Sequence, residues 1–340
     1  MSEIRDREIK KESPTNAMNF FRRKQSPTQK PAPLFDEAFL RRLERLNFKT
    51  APVLRGTPTG QRRSRNLRPS LDFSDNRPYT PGDDLRHVDW TAYARHESLF
   101  VKLGEATQSV NIHILLDCSM SMACPPAPGQ PSVKWPAAVR LAGALSYLAL
   151  SGGEQLYLTP FAADLAPGFG PTHGKRRAIA ALQFLSQLQP VPPAPASTGP
   201  GRCLTHYAHT HPGGGLLIII SDLLDTAAPD SAAPLAELTA GLSSLAPPRW
   251  QTVVIHLLTQ QELHPAPTGD VDLQDIETGQ TRPFRLDEAT LSQYRLRVRR
   301  WQTQLGQTCT QRGAIYAPIQ AEWPIEQAII PWLQQRSVLQ

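Results

Sequence analysis

Ile112-His113-Ile114-Leu115-Leu116-Asp117-Cys118-Ser119-Met120-Ser121-Met122 is a short apolar run that ends abruptly in polar chemistry. Ile112 to Leu116, apolar apart from His113, read as a strand buried on both faces. Asp117, Ser119 and Ser121 then put three hard oxygen donors into five positions. In an open α/β sheet, residues just past the carboxyl ends of strands line the crevice where ligands sit, above all where the strand order reverses. A second run, Gly215-Leu216-Leu217-Ile218-Ile219-Ile220-Ser221-Asp222, ends the same way. If the two strands are neighbours, Asp117 and Asp222 converge on one crevice beside the two serine hydroxyls.

Outward from these runs the chain alternates strand-like and helix-like segments. Strands are predicted at 110–116, 156–162, 215–220, 252–258 and 314–318, and helices at 133–150, 175–188, 232–245, 287–309 and 325–335. Such alternation calls for a doubly wound, mostly parallel sheet with helices on both faces, with the first and third of these strands side by side. Residues 271–286, VDLQDIETGQTRPFRL, break the pattern and predict an inserted β-hairpin. The proline-rich stretches 125–132 and 190–202 are expected to be irregular connections. In DEAFLRRLERLNF, Phe39, Leu40, Leu43 and Leu46 fall at helical spacing behind Asp36, which predicts a short amphipathic helix. The expected organisation is a disordered polar tail over 1–34, a helix and Arg/Asp-rich lead-in packed on the sheet domain over 35–109, and the sheet domain itself over 110–336.

Charge is uneven. Residues 1–70 carry 17 Lys/Arg against 7 Asp/Glu, and the remainder is net acidic, so the pI describes a basic head and not a basic domain. Aromatic residues are not interleaved with those basic ones, so nucleic-acid binding ranks as a third reading, resting on the head alone. The first thirty residues show no apolar core of a signal peptide, and the longest apolar run, LLIII at 216–220, is far too short to span a bilayer. A cytoplasmic protein is the expectation. Cys118, Cys124, Cys203 and Cys309 have neither CxxC spacing nor disulfide-scaffold density, so reduced thiols are expected and a zinc ribbon is excluded.

A cluster of carboxylates and hydroxyls suits Mg²⁺, which prefers oxygen in octahedral array and keeps positions for water or an incoming ligand. Asp117 and Ser119 alone would be read first as caps of the following turn; Asp222 in the matching place favours the ion, with Mn²⁺ the alternative metal. Asp-x-Ser-x-Ser followed by a later Thr and a strand-end Asp resembles the metal-ion-dependent adhesion site of von Willebrand factor A domains. The order RGTPTGQRRSRN, then DFSDNRPYTPGDDLRHVDWTAYARHESLFVK, then DCSMSM, with GAIYAPIQAEWPIEQAI near the end, resembles the bacterial domain of unknown function 58 family over about residues 50–335. That resemblance implies a von Willebrand factor A-like fold and a metal set of Asp117, Ser119, Ser121, Thr198 and Asp222, with Thr205 the rival of Thr198. It also implies a non-enzymatic docking module whose ion accepts an acidic residue of a partner protein, a MoxR-type AAA+ ATPase being the implied partner class. The runner-up is a divalent-metal-dependent hydrolase that uses the same carboxylates.

Other chemistries fit less well. A dehalogenase-type phosphatase needs a second carboxylate where Ser119 stands, and GFGPTHGKR at 168–176 has the wrong spacing for a phosphate-binding loop, with Arg176 in place of its Ser/Thr. No Gly-x-Ser-x-Gly elbow occurs. His206, His209 and His211 are read as surface histidines before a Gly-rich turn, and His113 and His256 as hydrogen-bonded core residues. In the lead-in, Asp83, Asp84, His87 and Asp89 could be ligands or bases, but an Arg–Asp network with Arg77, Arg86 and Arg95 is the simpler reading.

Overall fold

The computed structural model describes residues 35–51, 54, 75–80, 88–96, 98–103, 109–125, 130–192, 199–227, 233–266, 269–274 and 280–340. The expected tail, 1–34, lies outside these residues, as do Asp83, Asp84, Arg86 and His87 of the lead-in. Two compact units emerge: Arg55–Ser109, and the chain up to Leu54 together with Val110–Gln340.

In the larger unit α1 (Glu37–Leu43) starts where Asp36 Oδ1 accepts the Phe39 amide at 2.6 Å, and it buries Phe39 and Leu43. The smaller unit contributes β1 (Asp75–Pro78), α2 (Trp90–His96) and β2 (Phe100–Leu103), with β1 and β2 antiparallel. Buried Asp89 caps α2, accepting the amides of Thr91 at 3.0 Å and Ala92 at 3.1 Å, so its carboxylate has a structural task.

The larger unit resumes with β3 (Asn111–Asp117), α3 (Lys134–Ser151), β4 (Gln155–Phe161), β5 (Phe169–His173), α4 (Ala178–Gln187) and α5 (Pro200–Thr210). Then follow β6 (Gly215–Ser221), α6 (Ala233–Ser244), β7 (Trp250–Leu258), the one-turn α7 (Gln260–Leu263), and the hairpin strands β8 (Gly269–Gln274) and β9 (Thr281–Leu286). The chain closes with α8 (Glu288–Gln311), β10 (Ile315–Gln320), a π-turn at Ile325–Ile329 and α9 (Ile330–Gln335). No described helix is long and apolar enough to cross a membrane.

The sheet order is β10-β7-β6-β3-β4-β5, parallel throughout except for β5, which runs antiparallel at one edge. Successive side chains of a strand point to opposite faces. Accordingly Ile112, Ile114, Leu116, Ile218 and Ile220 enter one core with α1, α3, α4 and the chain end, while Leu115, Leu217, Ile219 and Val254 enter a second with α5, α6 and α8. Helices therefore cover both faces, and each fully buried Leu or Ile contributes about 1.5–3 kcal/mol. From β3 the chain moves outward to β4 and β5, then crosses back to β6 on β3's other side. The strand order reverses between β3 and β6, and their carboxyl ends flank the crevice.

Helix α5 and strand β5 are among the elements that the sequence expectation does not include. Residues 200–210, of which 200–202 are expected to belong to an irregular connection and the rest carry no helix expectation, form α5; Gly, Thr and His are weak helix formers, and packing of Cys203, Leu204, Tyr207 and Ala208 sustains the helix. Strand β5 escapes periodicity because Gly168 and Gly170 lie so close to β4 that a Cβ would meet the Leu158 and Leu156 carbonyls.

Helices α5 and α6 meet through glycine. A Cβ on Gly201 would lie 2.2 Å from the Glu237 carbonyl carbon, and one on Gly241 would lie 2.5 Å from the Gly201 oxygen. Gly201→Ala is therefore expected to lower stability by about 1–3 kcal/mol through overpacking, read as a shifted urea midpoint with unchanged slope. An unshifted midpoint would show that the two helices can part without cost.

Candidate cation site at the carboxyl edge of the sheet

Strand β3 delivers Asp117 to the switch point. Its Oδ1 accepts the Ser119 amide at 2.8 Å and its Oδ2 accepts the Ser221 hydroxyl at 2.5 Å, tying the ends of β3 and β6 together. Ser119 and Ser121 lie on the turn that follows, a 3₁₀ helix over Met120–Ala123, with their hydroxyl oxygens 2.9 Å apart. Asp222, just past β6, is 1% exposed. The next residue, Leu223, has φ +51°, a left-handed backbone that a branched side chain seldom adopts and that marks strain at the crevice.

The sequence reading missed the cation that already stands here. Lys134, the first residue of α3, is fully buried and donates from Nζ to Asp222 Oδ2 at 2.8 Å and to Glu262 Oε1 at 2.5 Å. An ammonium at the positive end of a helix is unfavourable by itself; the two carboxylates offset it. Glu262 is fixed in turn: its Oε2 accepts the Thr259 amide at 2.7 Å and hydroxyl at 3.0 Å, closing the capping box of α7, and the Tyr294 hydroxyl donates to its carbonyl at 2.6 Å.

Electrostatics follow from this arrangement. Burial, reinforced by the Asp222 charge, pushes the Asp117 carboxyl up to about 7, and the hydrogen bonds from Ser221 and Ser119 only partly counter it. For Lys134, burial works to depress the ammonium, but Asp222 and Glu262 outweigh it and hold the group above its ordinary value. Three carboxylates and one ammonium leave a formal charge of −2 when all are ionised. A carboxylate with two adjacent hydroxyls, in a pocket short of two positive charges, is chemically matched to a small hard divalent ion. Among the described residues no three His, Cys, Asp or Glu side chains form a metal-holding group, so the donor set depends on the serines.

Of the five expected ligands, Asp117, Ser119, Ser121 and Asp222 come together. Thr198 lies outside the described residues. Its rival Thr205 sits within α5 and donates its hydroxyl to the Gly201 carbonyl at 3.1 Å, occupied with its own helix. The histidine trio disperses: His209 Nδ1 meets the Thr205 carbonyl at 2.7 Å, and His211 stacks on Tyr207 with ring centres 4.1 Å apart. His113 and His256 are core residues, bonded to the hydroxyls of Tyr207 at 2.9 Å and Tyr316 at 2.6 Å. A sequence cue to the second carboxylate existed in Thr259-Gln260-Gln261-Glu262, the spacing of a capping box directly after a strand.

A family model described as protein of unknown function DUF58 matches residues 75–304. The uncharacterized proteins Mb1516 of Mycobacterium bovis and Rv1480 of Mycobacterium tuberculosis are each 28% identical over 229 residues, covering 65% of this chain. The matched region likewise spans 65% of the length of each of these relatives. Among solved structures, conserved hypothetical protein BatB from Bacteroides thetaiotaomicron aligns with a TM-score of 0.40 at 18% identity, covering 67% of this chain and 99% of its own.

Proposed function

The chain belongs to the family of proteins of unknown function DUF58, and from that premise we propose that its sheet edge is a cation-dependent docking site for an acidic residue of a partner protein. The observation that carries this reading is the meeting of Asp117, Ser119 and Ser121 with Asp222 at the switch point between β3 and β6. Asp117 and the serine hydroxyls would hold Mg²⁺ or Mn²⁺, with Asp222 behind them and Thr198 as the candidate further donor. The bound ion supplies positive charge to a carboxylate presented from outside. The chain's own part is to orient the oxygens. The likeness of the motif to a von Willebrand factor A adhesion site supports docking without catalysis, and a MoxR-type AAA+ ATPase is the partner class we propose to test first.

Mg²⁺ or Mn²⁺ at a hundred times its dissociation constant is expected to stabilise the folded chain by about 2.7 kcal/mol, reversibly with EDTA. Asp117→Ala is expected to abolish that gain and the chelator-sensitive retention of the ATPase in a pull-down. A melting curve indifferent to metal and chelator, or retention unaltered by EDTA, would refute the mechanism.

A further inference from the structure

Resting on the cation reading above, we propose that Lys134 is a positioning residue that sets the charge of the bound ion and so selects a carboxylate as its outside ligand. A divalent ion that balanced its charge against both aspartates would be formally neutral and would exert little pull on a third carboxylate. The geometry prevents that balance. Asp222 Oδ2 is engaged by the Lys134 ammonium at 2.8 Å and its Oδ1 accepts the Leu224 amide at 3.3 Å, whereas among the described residues no ion pair engages Asp117, whose hydrogen bonds come from Ser119 and Ser221. With Asp222 tied to the ammonium, Asp117 is left as the anionic ligand of the ion, so the ion and its own ligands keep a charge of +1, while the Lys134–Asp222–Glu262 group behind them carries −1.

The placement of Lys134 is built and not incidental. It is 0% exposed at the start of α3 and is held by two carboxylates from separate segments, the turn after β6 and helix α7. One of these, Glu262, is locked by the Thr259 capping box and by Tyr294 of α8. The ammonium therefore has a fixed position from which to claim Asp222.

The test uses the full chain, Mn²⁺ as the metal probe followed by calorimetry and electron paramagnetic resonance, and acetate as the carboxylate probe on the Mn²⁺-loaded protein. Lys134→Met frees Asp222 to face the ion, so Mn²⁺ should bind about tenfold tighter or more and acetate about tenfold weaker or more. Lys134→Met combined with Asp222→Asn removes both charges at once, avoids a lone buried carboxylate, and should return both affinities to about the wild-type values even if the single variant fails to fold. Unchanged Mn²⁺ and acetate affinities in Lys134→Met would overturn the role of Lys134 and leave the cation site standing. Loss of Mn²⁺ from the double variant would also overturn it, because Asp222 would then be a required ligand. A wild-type chain that takes up no Mn²⁺ would overturn the cation reading and this inference together.

Discussion

Asp222→Ala is expected to cost about 3–5 kcal/mol of stability in chelator at neutral pH, while Asp117→Asn, one strand away, costs less than about 1 kcal/mol. The asymmetry follows from the location of the buried ammonium. Removing the Asp222 carboxylate leaves Lys134, with no exposed surface, to a single partner in Glu262, and also strips the acceptor from the Leu224 amide at the turn after β6. Removing one partner of a buried ion pair is among the few changes that regularly exceed about 3 kcal/mol, and Glu262, whose side chain is partly exposed, compensates the ammonium less well than the buried Asp222. Among the described residues Asp117 has no such dependent. Its amide replacement still accepts from the Ser119 backbone, and the Ser221 hydroxyl can rotate from donor to acceptor. The mutation also relieves the repulsion between the two carboxylates. Urea denaturation of both variants in EDTA decides the matter; equal losses would mean that Lys134 is not what stabilises this corner.

The sheet and the four clustered ligand candidates were legible because they leave periodic or positional marks. Runs such as Leu216–Ile220 are buried on both sides and read as central strands, and a carboxylate at the end of each of two such runs is placed by the chain itself once those strands are neighbours. Lys134 left no comparable mark. It heads a helix whose remaining residues are mostly small and apolar, where a lysine ordinarily reaches solvent, and only tertiary placement of Asp222 and Glu262 turns it inward. Ser221 was hidden for a related reason, since at the end of an all-apolar strand it reads as a strand terminus until its hydroxyl is found on Asp117. Helix α5 was obscured because its stability comes from partners distant in sequence, Gly241 and Glu237 on α6, and not from its own propensity.

Acid is expected to weaken the fold by about 3 kcal/mol between pH 7 and pH 4 through His113 alone. The ring lies in β3, 1% exposed, stacked on Tyr157 with centres 4.3 Å apart and edge-on to Trp250 at 4.9 Å. Its Nε2–H donates to the Gly214 carbonyl at 3.3 Å, so in the neutral ring Nδ1 accepts the Tyr207 hydroxyl at 2.9 Å, and protonation would force that hydroxyl to reverse and accept. Burial, with a further push from His211, lowers its pKa from 6.5 to about 3, and the Gly214 hydrogen bond opposes this only in part. Because the unfolded chain takes up this proton near pH 6.5 and the folded chain only near 3, the stabilisation is complete above pH 6.5 and is lost as the pH falls toward 3. His113→Gln keeps a donor and an acceptor without the titration, so the difference in unfolding free energy between pH 7 and pH 4 should shrink by about 3 kcal/mol in that variant. An unchanged difference would place the acid sensitivity elsewhere, and would show that the bond between β3, which carries Asp117, and Tyr207 of α5 survives protonation.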